Sequence, residues 1–156
     1  MCLIECSPWV CYYTSEMSCP YFDPVEFRCG NRGSNHAMLP LGDSWSGVCR
    51  AIPEQPGRPD DTALQSYCNL GYARGKCDHF PSGHGPDAAR FTITEDAGAT
   101  LRLYYVLERD HEPFAHGPIA FCAASGQFTP PPEGELTARQ ARAYVESYMR
   151  RKAEVA

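Results

Sequence analysis

The chain reads as an α+β fold. It has a loop-rich, cysteine-containing N-terminal half around a metal centre, a three-stranded antiparallel meander and an amphipathic C-terminal helix. Three observations point there. Gly and Pro recur every few residues as far as Phe91, polar and apolar residues alternate from Phe91 to Cys122, and an apolar stripe at helical spacing follows Thr137. With 156 residues, 43% hydrophobic and 21% charged, the composition is that of a single globular domain able to bury a core.

In chain order, residues 1–18 are an N-terminal extension, 19–90 the cysteine-rich region of loops and a short helix, 91–124 the strands, and 136–153 the final helix. The opening MCLIECSPWVCYYTSEM has no basic residue before Arg28 and no small-residue cleavage site, so it does not read as a secretory signal. Met17 is an alternative start, which would make residues 1–16 an extension outside the native protein. Between Pro59 and Gly71, Asp60 or Asp61 can cap a helix, Leu64, Tyr67 and Cys68 share a face, and Gly71 suits the left-handed position after it. That places Cys68 in the last turn of a short helix.

The first strand starts at Phe91, and Glu95 to Gly98 reads as a turn. From Thr100 to Glu108, Leu101, Leu103, Tyr105 and Leu107 share one face, opposite Arg102, Tyr104, Val106 and Glu108. Arg109 to Pro113 reads as a polar connection, and His116 to Cys122 as a third strand with Pro118 at its start or edge. Cys122 is expected in the core. Pro130 to Pro132 is an extended link. Thr137 and Gln140 have the spacing of a capping box, and Ala141, Tyr144, Val145, Tyr148 and Met149 form the stripe that would pack on the sheet.

Net charge is −5, which disfavours nucleic acid and anionic membranes as partners. No apolar run is long enough to span a bilayer. The segment from Thr137 is locally basic, with Arg139, Arg142, Arg150, Arg151 and Lys152 against Glu146 and Glu154. The expected setting is the cytoplasm, with a protein partner. Nine cysteines in a reducing compartment point to metal or redox chemistry before disulfides.

Loops that bury little apolar area need compensation for their ordering entropy, and a metal centre supplies it because its binding free energy becomes folding free energy. Four cysteines stand in settings that suit ligands. Cys19 opens Cys-Pro-Tyr-Phe, and cluster cysteines are often adjacent to Pro. Cys49 follows Gly42 and Gly47, which allow close backbone approach. Cys68 and Cys77 flank Asn-Leu-Gly-Tyr-Ala-Arg-Gly-Lys, a helix end and a Gly-containing turn that can return the chain to the same point. Gly75 leaves room for a bulky cluster, and Arg74 and Lys76 can offset its charge. None of these four is in the tight Cys-x2–4-Cys spacing usual for structural zinc, so a tetrathiolate [4Fe–4S] centre is the reading, with zinc or unliganded thiols as alternatives. Cys2, Cys6 and Cys11 form no known cluster motif, and Cys29 is a loop thiol or substitute ligand. His79, two residues past Cys77, is the best mixed zinc ligand.

The blocks Cys19-Pro-Tyr-Phe-Asp-Pro, Leu39-Pro-Leu-Gly-Asp, Gly47-Val-Cys-Arg-Ala and Cys68-Asn-Leu-Gly-Tyr-Ala-Arg-Gly-Lys-Cys-Asp-His-Phe-Pro resemble those of a small uncharacterised bacterial family of cysteine-rich proteins. The resemblance runs from about Cys19 to about Phe121. It implies a bacterial source and a specific fold, and brings no established activity or catalytic residue. The sequence has no Walker A loop and no dinucleotide-binding glycine fingerprint. The expectation is a small iron–sulfur protein for electron transfer, or an accessory to a larger enzyme, rather than a stand-alone enzyme. The competing expectations are a zinc-stabilised interaction module and a thiol-dependent enzyme without metal.

Overall fold

The computed structural model describes residues 17–28 and 40–155. Cys2, Cys6, Cys11 and Cys29, and the question of Met17 as a start, lie outside the described residues or turn on them. Two antiparallel sheets and a long C-terminal helix make the fold α+β. The cysteine-rich half contains its own sheet, in which β1 (Phe22–Phe27) pairs with β2 (Trp45–Cys49). Pro24 concealed β1 in the sequence. It sits beside a register shift between Pro24 and Glu26, where an edge strand tolerates a missing N–H. Gly47 makes the pairing possible, because a Cβ there would lie 1.9 Å from the Asp23 carbonyl oxygen.

The short helix falls where the sequence places it. Asp60 caps α1 (Asp61–Ala63) by accepting from the Ala63 N–H at 2.8 Å, and the chain continues as a π-helical turn over Leu64–Cys68. Gly71 is left-handed at φ +70, and a Cβ there would press on the Met17 and Ser18 carbonyls.

The meander has four strands, not three: β3 (Ala88–Asp96), β4 (Thr100–Arg109), β5 (Glu112–Cys122) and β6 (Gln127–Thr129), hydrogen-bonded in chain order. Along β4 the alternation holds as far as Tyr105, with Leu101, Leu103 and Tyr105 buried and Arg102 exposed, but it fails at Val106, expected on the opposite face and buried together with Leu107. The expected polar connection from Arg109 to Pro113 is instead a two-residue turn. Arg109 pairs with Glu112, and Asp110 and His111 both take positive φ, 51° and 64°. Cys122 is only half-buried, at the end of β5, so it is not the core residue expected.

Helix α2 (Glu135–Val155) packs against β1 and β3 and so joins the two sheets. Ala141 and Val145 are buried as expected, together with Ala143 and Ser147, but Met149 is exposed. Gly42 accepts this close approach, since a Cβ there would meet Ser147 Cβ at 2.5 Å. The expected capping box is not formed. The helix begins earlier, with the Ala138 N–H on the Gly134 carbonyl at 3.2 Å, and the Gln140 side chain is used elsewhere. The basic residues of α2 are paired within the fold. Arg139 binds Asp23, Arg150 and Arg151 bind Asp43, Lys152 binds Asp96, and Arg142 donates to the Gly126 carbonyl. Among the described residues no helix is long and apolar enough to cross a membrane.

Candidate metal centre

Cys19, Cys49, Cys68 and Cys77 line a single small, open-mouthed cavity. Its other walls are Phe22, Ala51, Tyr67, Ala73, His79 and Phe80. Apart from His79, every lining side chain is apolar, aromatic or a thiol.

Each thiol reaches the cavity by a separate local device. Cys19 begins a β-turn whose Phe22 N–H returns to the Cys19 carbonyl at 3.1 Å, with Pro20 at the position its fixed φ favours. Cys49 ends β2 between two partners: Phe22 in register on one side, and Gly57 on the other through bonds of 2.7 and 3.2 Å. Cys68 ends the π-helical turn, and its carbonyl accepts from the Cys19 N–H at 3.1 Å. π-helical turns of this kind recur at functional sites. Cys77 closes a turn back to Ala73 at 2.8 Å, and its own carbonyl accepts from Phe80.

Two polar side chains that sequence reasoning missed organise this wall. Asn69 accepts from the Trp45 N–H at 3.2 Å and donates to the carbonyls of Trp45 and Leu64 at 3.1 and 3.0 Å. It thereby ties the turn bearing Cys68 to the strand bearing Cys49. Asp87, buried beside β3, accepts from Arg74 at 2.6 Å and from the Asp110 N–H at 2.9 Å. Burial pushes the Asp87 carboxyl up, but these donors outweigh it and hold it below its usual value. Arg74 also donates to the carbonyls of Pro81, Gly83 and Gly85 and lies over the Phe80 ring at 4.9 Å. Its charge is directed at that loop and Asp87 rather than at the thiols, and Lys76 is exposed. Asn69 had a local signal, an Asn straight after the last helical residue. Asp87 had none.

Of the aromatic residues in the cysteine-rich half, Phe22 and Phe80 line the cavity, and Tyr21 packs edge-to-face on Phe80 at 5.3 Å. Phe27 instead packs on Trp45 and under Arg150. Gly75 has open space around it, and its φ of +79 explains the glycine.

The thiols sense one another. Burial pushes Cys19 up to about 12, with the charges of Cys49 and Cys77 adding to the shift, while backbone hydrogen bonds from Tyr21 and Phe22 to its sulfur oppose it. Burial likewise pushes Cys68 up to about 12, and the neighbouring Cys19, Cys49 and Cys77 add to it. Such thiols are protonated at neutral pH and poor nucleophiles unless a cation replaces their protons. A tetrahedral zinc, with bonds of about 2.3 Å, draws its sulfurs to about 4 Å of one another. Among the described residues no three His, Cys, Asp or Glu side chains are grouped so as to hold a metal ion as they stand. The four cysteines share the lining of one cavity. Cys122 does not line this cavity. Hydrogen bonds from the Ser125 side chain and the backbone of Ser125 and Ala124 hold its thiol below the usual value.

Compared with protein-family models, with curated proteins and with solved structures, the chain matches none.

Proposed function

We propose that Cys19, Cys49, Cys68 and Cys77 hold an iron–sulfur cluster of the [4Fe–4S] type, and that the protein serves electron transfer or as a cluster-bearing accessory of a larger enzyme. The observation that carries this reading is the convergence of four thiols, from positions 19 to 77, on one apolar-walled cavity. Evolving four loops to one point is hard to account for by packing alone, because thiols from a core need not share an open cavity. A cluster there supplies reversible one-electron chemistry. The protein's part is to present four sulfurs and to exclude water with Phe22, Tyr67 and Phe80.

His79 on the same wall favours a second reading, a zinc-stabilised interaction module with mixed ligands. The α2 cations are paired within the fold, which weakens docking of such a module through that locally basic helix. The raised thiols weigh against Cys19 or Cys68 as the nucleophile of a metal-free thiol enzyme.

Anaerobic purification with a visible spectrum and with iron, sulfide and zinc analysis decides between them. The expected result is a brown protein with about four irons per chain. Cys68→Ser or Cys77→Ser should abolish iron binding, and Cys122→Ser should keep it in full. A colourless protein with one zinc supports the second reading, and no metal at all overturns both.

A further inference from the structure

The Gln140 side chain is 1% exposed on α2, and all of its hydrogen bonds go to the segment bearing Cys19. Its Nε2 donates to the Cys19 and Phe22 carbonyls, both at 2.7 Å, and its Oε1 accepts from Ser18 Oγ at 2.8 Å. Cys19 and Phe22 are the first and last residues of the Cys-Pro-Tyr-Phe turn, which the Phe22 N–H closes on the Cys19 carbonyl at 3.1 Å. One amide therefore brackets the turn at both ends. Its third bond is tied to β3, because Ser18 pairs with Ala89 through backbone bonds of 2.8 Å each.

A helix residue whose only task was to cap or pack would not need this. The apolar neighbours Ala141 and Val145 already seal α2 against the core, and a buried amide is retained only where its bonds are all made. We propose that Gln140 is a positioning residue for the Cys19 ligand: it holds the turn so that the sulfur faces the cavity, and so couples α2 to the metal centre. This rests on the iron–sulfur reading for its consequence, but not for its geometry.

The test uses the full chain carrying Gln140→Met, which keeps length and volume and removes all three bonds. In metal-free, reduced protein, alkylation is followed at each cysteine by peptide mass spectrometry. Cys19 should react about tenfold faster or more, the equivalent of 1.4 kcal/mol in opening, while Cys49 and Cys68 stay within about twofold of wild type. Ser18→Ala, which leaves both Nε2 bonds in place, should change Cys19 far less. Equal acceleration at all the cavity cysteines would mean general loosening and overturn the proposal, as would an unchanged Cys19. In reconstituted protein, iron loss to a chelator should accelerate about tenfold in Gln140→Met. If wild type takes up no iron, the iron–sulfur reading fails on its own, and the alkylation pattern still judges Gln140. Should Gln140→Met not fold, Gln140→Asn, one methylene short of the turn, carries the same prediction.

Discussion

Tyr72 takes a left-handed φ of +52, a conformation that costs a bulky residue about 1–2 kcal/mol. What holds it there is visible on both sides of its ring. The hydroxyl donates to Glu108 on β4, and the ring stacks on His111 with centroids 4.3 Å apart and planes 10° from parallel. Burial first, then the hydrogen bond to Glu108, raises the Tyr72 hydroxyl, so it is the proton donor of the pair. His111 is itself left-handed, and Tyr72 lies on the loop between Cys68 and Cys77, so the β4–β5 turn and the cavity wall brace one another. Tyr72→Phe keeps the stack and removes only the donor. It should destabilise the protein by about 1–2 kcal/mol, read as a lower urea midpoint with an unchanged slope. An unchanged midpoint would mean the stack alone carries the strain. This detail was hidden in the sequence, because Asp110-His111 lacks the glycine that marks a two-residue hairpin turn. That Cys19, Cys49, Cys68 and Cys77 come to one cavity was legible for the opposite reason. Each stands beside a local signal, a Pro, a glycine or a helix end, that says how the backbone turns there.

At the level of elements, the β1–β2 sheet is the support on which Cys49 is placed, and its weakest tolerance is Gly47. Gly47→Ala would drive a methyl group into the Asp23 backbone, where nothing flexible can move aside. A loss of about 3 kcal/mol is expected. Gly57→Ala, with nothing within 4 Å of the added methyl, should stay within about 0.5 kcal/mol. Denaturant melts of the two variants side by side check the contrast, and similar melts would contradict the register. Gly42 and Gly47 were readable as sites of close approach, and the short helix, the β4 alternation and α2 as periodic or capped segments. The elements that escaped are those without a period. β1 carries Pro24, and β6 is three residues long. The Thr137–Gln140 pair shows a different limit. The spacing of a capping box is local, but the use of Gln140 depends on Ser18, Cys19 and Phe22, more than a hundred residues away in the chain.

For the whole molecule, the two ends of the pH scale report on different parts of the fold. At the acid end Asp96 is held at about 2, chiefly by Lys152, then by the Gly98 N–H and Tyr148, so it joins α2 to the β3–β4 turn. A depressed carboxyl contributes stability that is present above its unfolded pKa near 4 and lost as pH falls towards 2. At the alkaline end the sign reverses. Cys19 and Cys68 have folded pKa values raised to about 12 by burial, against about 8.5 in the unfolded chain. Between those values the unfolded chain has released protons that the folded, metal-free chain still holds, so stability falls as pH rises through the window. Each such thiol steepens the fall by up to about 1.4 kcal/mol per pH unit. Cys68→Ala removes one of them, so metal-free Cys68→Ala should lose stability less steeply than metal-free wild type between pH 9 and 12, although its cavity lowers it at neutral pH. In metal-loaded protein the thiols would already have released their protons to solvent, and the alkaline slope should flatten towards that of the variant. Chemical denaturation across this window, with and without metal, gives the three slopes. Identical slopes for metal-free wild type and Cys68→Ala would mean that Cys68 is not buried as a protonated thiol, and a loaded protein as steep as the metal-free one would mean that the metal sits away from Cys19 and Cys68.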